Sequence, residues 1–118
     1  LDDSIKIYTE KFGHTLSHRE VLAVEQLEVA FLENGSVTIE LISPISDGGT
    51  VAKFLKSRGP GMHHVCLKTP DIIAELKRLA DSGVRLIDTS PRTGSRGKQI
   101  AFIHPASTGG VLIELCQK

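Results

Sequence analysis

The spacing of apolar residues predicts a helix and then three strands in the first part of the chain. Ile5, Tyr8 and Phe12 recur at the spacing of one helix face, and Gly13 follows as a stop signal. Alternation of apolar and polar residues predicts strands at about 15–22, 26–33 and 36–42. Asn34-Gly35, which joins the last two strands, is a strong hairpin signal.

A second set of elements follows a connection over residues 44–60 that is rich in Gly and Pro and contains one small helix. Thr69-Pro70-Asp71 opens a helix that runs from 71 to about 81 and stops at Gly83. The remaining apolar segments predict strands at about 62–68, 84–88, 97–103 and 110–116. The predicted order is a strand, a helix and three strands.

The two parts of the chain repeat one pattern. Val29-Ala30-Phe31 recurs as Ile100-Ala101-Phe102, and Val37–Leu41 recurs as Val111–Leu115. By that repeat, the first half lacks a leading strand, which we expect to precede Leu1. The pattern therefore predicts one domain over residues 1–118 with half-modules at about 1–43 and 61–118.

Composition narrows the classes of function. The 118 residues include 14 basic and 14 acidic side chains, so the formal net charge is zero. The chain therefore lacks the excess of positive charge that is typical of a nucleic-acid-binding protein. Uninterrupted apolar runs of only about four residues predict no membrane span, which needs roughly 20. Two cysteines do not make a disulfide framework in a chain of this length, and a cytoplasmic location is expected.

Two acidic residues occupy matching places in apolar strands. Glu40 lies in Val37–Leu41 and Glu114 in Val111–Leu115. Burying a carboxylate is costly unless it is paired, hydrogen-bonded or bound to a metal. Each could instead be a plain surface acid on a solvated face, but the duplication favours a shared role.

The pair His63 and His64 supplies candidate imidazole ligands. Strand alternation would send the two side chains to opposite faces, so at most one could join a given site. Imidazole combined with carboxylates suits a borderline divalent ion such as Zn²⁺ or Co²⁺. A structural histidine is the alternative, and Cys66 and Cys116 are expected to be small buried hydrophobes.

The chain resembles the vicinal oxygen chelate superfamily, which has the glyoxalase and bleomycin-resistance fold, and within it the methylmalonyl-CoA epimerase family. The resemblance is densest in four segments, 51–55, 61–65, 83–88 and 97–115. It implies an α+β fold of two paired βαβββ modules, the first of which lacks its leading strand in this chain.

The same resemblance implies a metal site and assigns its ligands. It selects His64 over His63 and adds Glu40 and Glu114 as ligands of a divalent ion, with Co²⁺ or Zn²⁺ expected. The family's remaining ligand is a His on the strand that would precede Leu1. Some members carry a second catalytic Glu where this chain has Val29.

The implied reaction is the metal-dependent epimerisation of methylmalonyl-CoA. A proton would move at the carbon alpha to the thioester through an enediolate, with Glu114 as an acid–base residue. An acyl-CoA substrate and a homodimer are expected, and nucleic acid and membrane partners are not. A glyoxalase I-like lyase or isomerase, a dioxygenase, a non-catalytic small-molecule-binding module and a structural domain are the alternatives.

Overall fold

Three α-helices and seven strands are the main elements of the structure, a computed structural model that describes residues 1–118. They fall into two units, Leu1–Gly61 and Met62–Lys118. The helices are α1 (Asp2–Lys6), α2 (Thr50–Arg58) and α3 (Ile72–Asp81). The strands are β1 (Thr15–Leu22), β2 (Leu27–Glu33), β3 (Thr38–Pro44), β4 (Val65–Thr69), β5 (Arg92–Thr93), β6 (Gln99–Ile103) and β7 (Ile113–Gln117).

The first unit is an antiparallel sheet in the order β1-β2-β3, preceded by α1 and followed by α2. The helix predicted from Ile5, Tyr8 and Phe12 is confirmed as far as Lys11, with Ile7–Lys11 in π-helical geometry. A positive φ of 104° at Gly35 lets the chain turn tightly between β2 and β3, as the Asn-Gly signal predicts. The core of this unit comes from β2 and α2: Val29, Ala30, Leu32, Val51 and Ala52.

The second unit has the order β4-β7-β6-β5, with β4 and β7 parallel and the other pairs antiparallel. The predicted helix is confirmed, and Asp71 caps it by accepting a hydrogen bond from the Ala74 amide at 3.1 Å. The apolar face of α3 packs on the sheet through a core of Ile72, Leu76, Ala101, Ile103 and Leu115. This α+β architecture confirms the predicted fold class.

The predicted strand at 84–88 is wrong. Only an isolated bridge joins Leu86 to Ile103, and the short strand β5 forms at Arg92–Thr93, between the predicted strands at 84–88 and 97–103. The Asp88 carboxylate accepts the hydrogen bond of the Phe102 amide at 2.8 Å. The Phe102 amide therefore donates to a side chain instead of to the carbonyl of a neighbouring strand. As a result, residues 84–88 do not form an extended ladder with β6.

The internal repeat is present in the strand register. Phe31 lies opposite Glu40 in the β2–β3 pair, and Phe102 lies opposite Glu114 in the β6–β7 pair. Each pair places a carboxylate beside an aromatic ring on one face of its sheet. None of the helices is both long and apolar enough to cross a membrane.

Candidate metal centre

His64 and Glu114 come together within the second unit. The Nε2 atom of His64 lies 3.1 Å from Oε1 of Glu114, and the two side chains are only 11% and 13% exposed. Glu114 is held on β7, which has β4 on one side and β6 on the other, so its backbone is fixed from both edges. The fold thus keeps an imidazole nitrogen and a carboxylate oxygen side by side and largely out of water.

The second oxygen of Glu114 also has a partner. Cys66 is aligned with Glu114 across the parallel β4–β7 pair, and its thiol donates a hydrogen bond to Oε2 at 3.6 Å. Because the two carboxylate oxygens face different groups, the orientation of the carboxylate is set by its surroundings. No sequence pattern indicates this role for Cys66, since only strand pairing brings the two residues together.

His63 contacts the other ring nitrogen of His64, with the two Nδ1 atoms 3.0 Å apart. One of these nitrogens must donate and the other accept, so His63 orients the His64 ring and leaves Nε2 directed at Glu114. The prediction that alternation places the two rings on opposite faces is wrong. Strand β4 begins at Val65, and both histidines precede it in a segment without strand pairing.

The aromatic ring of Phe102 also contacts the imidazole ring of His64. The rings of His64 and Phe102 meet edge to face, with centroids 5.8 Å apart and an interplanar angle of 79°. The guanidinium of Arg92 lies 5.4 Å from the centroid of the same Phe102 ring. Arg92 also pairs with Asp88 at 3.4 Å, and Asp88 binds the Phe102 amide. A cation is thereby held on an aromatic ring that contacts the candidate ligand.

Glu40 lies in the first unit, in the interior of β3, and is half-buried. The repeat gives it the position that Glu114 has in the second unit. Strand β2 has Val29 at the position where the family resemblance implies a second acid in some members. Val29 is fully buried, and Glu28 forms an ion pair with Arg19 at 3.1 Å.

The two cysteines do not both behave as buried hydrophobes. Neither forms a disulfide; Cys66 is exposed, which makes the prediction wrong for that residue, and Cys116 is half-buried. Burial raises the pKa of the Cys116 thiol, and the neighbouring Glu114 carboxylate acts in the same direction. Cys66 instead contacts Glu114 through the hydrogen bond of its thiol.

The donor atoms of this cluster fit a borderline divalent cation. An imidazole Nε2 and a carboxylate oxygen are ligand types that Zn²⁺ and Co²⁺ accept, and a neighbour on Nδ1 is the usual support for a ligating histidine. A half-buried pair of this kind also excludes much of the competing water. The residues therefore have the chemistry of part of a metal centre.

Comparison with known proteins adds family relationships to this geometry. Residues 1–102 match the model of the glyoxalase/bleomycin resistance protein/dioxygenase superfamily. The uncharacterized protein YqjC of Bacillus subtilis is 39% identical over 99% of this chain and 84% of its own length. The mitochondrial methylmalonyl-CoA epimerase of Dictyostelium discoideum is 35% identical over 100% of this chain and 72% of its own length.

A solved structure extends the likeness to the fold. A single-residue variant of Streptomyces coelicolor methylmalonyl-CoA epimerase, in complex with 2-nitronate-propionyl-CoA, is 31% identical and superposes with a TM-score of 0.95. The match covers 100% of this chain and 86% of that one. The relatives that carry a functional name are thus isomerases, which confirms the predicted enzyme class. The chain belongs to the glyoxalase/bleomycin resistance protein/dioxygenase superfamily and, within it, to the methylmalonyl-CoA epimerase family.

Proposed function

We propose that this chain is a metal-dependent epimerase of methylmalonyl-CoA, with Glu40, His64 and Glu114 as metal ligands. The observation that carries the proposal is the half-buried contact between His64 Nε2 and Glu114 Oε1 at 3.1 Å. The relatives support the substrate, because several are named for this reaction and one was solved with an acyl-CoA analogue.

The third ligand is proposed from the repeat and the family resemblance. Glu40 and Glu114 follow the same apolar pattern and each lies opposite a phenylalanine, so the duplication gives each unit one carboxylate in the same place. Two carboxylates and one imidazole suit Zn²⁺ or Co²⁺. A divalent ion, when bound, would supply positive charge that stabilises the negative charge developing on the substrate oxygens.

The residues around this centre have distinct parts in the proposed proton transfer. Glu114 removes or returns the proton at the carbon between the thioester and the carboxylate, and this acid–base work contributes about 10²–10⁴ in rate. His63 keeps the His64 ring in place through Nδ1. The ring of Phe102, packed on His64, limits the access of water to the site.

The decisive experiment measures solvent deuterium exchange into methylmalonyl-CoA. Glu114→Gln keeps the shape of the side chain but removes its basicity, so we expect exchange to be nearly abolished. Glu10→Gln, a change of the same type at an exposed residue of the first unit, serves as the control and should exchange at the wild-type rate. Wild-type exchange in Glu114→Gln would overturn the proposed role.

Two further measurements test the metal and the substrate. Elemental analysis of the full-length protein should find a divalent metal, with Zn²⁺ or Co²⁺ expected. Turnover of a glutathione hemithioacetal or a catechol, without exchange into methylmalonyl-CoA, would assign the chain to a glyoxalase or a dioxygenase instead.

Assembly and location belong to the same proposal. We propose a homodimer, because β3 pairs with β2 on one side only and a sheet edge of this kind is a template for association. Analytical ultracentrifugation should give twice the mass of the chain. Two cysteines that form no disulfide agree with a cytoplasmic location, which imaging of a tagged protein would test.

A further inference from the structure

Two thiols lie on one face of the second sheet, and the proposed reaction uses neither of them. Cys66 on β4 is aligned with Glu114, and Cys116 on β7 is aligned with Lys68. The cysteines are therefore diagonal neighbours on adjacent parallel strands, two positions apart in register. Side chains two residues apart on a strand point to the same face, so both thiols point away from the core side of the sheet.

The strand register by itself places the two cysteines on one face of adjacent strands. Neither cysteine forms a disulfide. Diagonal neighbours in a sheet have Cα atoms about 7–8 Å apart, which exceeds the limit of about 7 Å for a direct disulfide without backbone movement. The spacing thus suits one atom bonded to both sulfurs better than a bond between them.

The pair is also accessible from solvent. Cys66 is exposed, and strand β4, which carries it, forms an edge of the sheet. Cys116 is half-buried behind it. An electrophile could reach Cys66 first and then close onto Cys116, because the strands hold the second sulfur in place.

We propose that Cys66 and Cys116 form a dithiol site for thiophilic electrophiles that bridge two sulfurs, with trivalent arsenicals as the matching class. An aryl arsenoxide reacts with two thiols without any redox change. Two S–H bonds and the As=O bond break, two As–S bonds form, and the oxygen leaves with the two protons as water. The product joins β4 to β7 through a single arsenic atom.

This site does not depend on the epimerase reaction or on a bound metal, although it lies beside Glu114. Cys66 donates a hydrogen bond to Oε2 of Glu114, and the proposed product no longer carries that S–H group. The test therefore uses the composition of the adduct and the number of free thiols, and it needs no measurement of turnover.

Phenylarsine oxide is the probe for the full chain. One equivalent should add a single phenylarsenic group, detected by intact mass spectrometry, and should remove both thiols from a colorimetric thiol titration. Excess of a small dithiol should reverse both effects. The chain contains only two cysteines, so the titration reports on this pair alone.

Variants separate the bridged product from binding to one sulfur. Cys66→Ser and Cys116→Ser should each weaken binding by about 100-fold or more, because the second bond is then no longer intramolecular. Met62→Leu, which removes the only other sulfur and alters an exposed residue, should bind like the wild type.

Two results would overturn the proposal. One is a wild-type product in which each arsenical binds a single sulfur. Such a product would show the loss of only one thiol at one equivalent, or the addition of two arsenicals when the reagent is in excess. The other is tight binding that persists in either serine variant. The wild-type thiol titration keeps the test valid even if a serine variant does not fold.

Discussion

At the scale of single residues, the neighbours of a ligand decide how well it can act. His63 and His64 are adjacent in sequence, but they have different parts because only His64 presents Nε2 to Glu114. His63 is placed on Nδ1, where a hydrogen bond fixes the tautomer and the ring orientation. The His-His pair therefore supplies one proposed ligand and one group that orients it.

A variant of His63 tests this division of roles. We expect His63→Ala to lower the affinity for Zn²⁺ or Co²⁺ by about 10–100-fold, the usual effect of losing the partner of a ligating histidine. Competition with a chromophoric chelator measures the affinity. Removing the proposed ligand itself in His64→Ala should have the larger effect.

His18→Ala provides the matched control for that prediction. His18 is a partly exposed histidine on β1 that contacts Glu20 and is neither a proposed ligand nor the Nδ1 partner of His64. Its loss should leave the affinity for metal unchanged. Equal losses in His18→Ala and His63→Ala would contradict an orienting role for His63.

At the scale of elements, the hairpin that carries Arg92 depends on a close approach between backbone and core. A Cβ atom added at Gly94 would lie 2.7 Å from Cδ1 of Ile100 and 3.0 Å from its Cγ1. Ile100 is buried and β-branched, so it has little freedom to move away. Glycine at this position lets the turn between β5 and β6 lie against the sheet.

We expect Gly94→Ala to lower the free energy of unfolding by about 1–3 kcal/mol, the typical effect of overpacking. Urea denaturation followed by circular dichroism measures the change. Gly61→Ala is the control, because nothing lies within 4 Å of its added Cβ atom and its φ is not positive. Equal stability of the two variants would show that the hairpin adapts without strain.

Helix α3 carries a pH-dependent ion pair on its exposed side. The Arg78 guanidinium binds the Glu75 carboxylate and holds its pKa below the ordinary value of 4.5. Because the pKa is lower in the folded state, the pair stabilises the fold above that ordinary value. This stabilisation is lost as the pH falls through the lowered folded-state pKa.

The expected consequence is a stability difference that depends on pH. Arg78→Met should unfold at a lower urea concentration than the wild type at pH 7, and the difference should shrink as the pH falls well below 4.5. High salt at pH 7 should also reduce it, because both side chains are exposed to solvent. A difference that grows in acid would contradict the assignment.

At the scale of the whole molecule, the proposed ligand set takes Glu40 from the first unit and His64 and Glu114 from the second. A ligand that binds only the folded state stabilises it by mass action, by about 2.7 kcal/mol at 100 times its Kd. The proposed centre therefore predicts that metal binding stabilises the protein as a whole.

Removal of the metal tests that prediction. Dialysis against a chelator should lower the Tm, and added Zn²⁺ or Co²⁺ should restore it. Glu40→Ala and Glu114→Ala should each reduce the restoring effect, which differential scanning calorimetry measures. A full metal-dependent shift in Glu40→Ala would exclude Glu40 as a ligand.

Local patterns along the chain were enough to determine much of the secondary structure. Helix α3 with its Asp71 cap and the Asn34-Gly35 turn depend on neighbouring residues, so their signals are visible in sequence. The strand at 84–88 could not be excluded in this way. Its failure depends on the Asp88 carboxylate meeting the Phe102 amide 14 residues away.

The candidate site shows the same division between local and tertiary information. Duplication of an apolar pattern singled out Glu40 and Glu114 by sequence alone, because burying a carboxylate in an apolar strand is costly unless it is paired, hydrogen-bonded or bound to a metal. The contacts of His64 with Glu114, His63 and Phe102 required the fold. Sheet pairing joins residues about 50 positions apart, such as Cys66 and Glu114, and no local pattern encodes which side chains it places together.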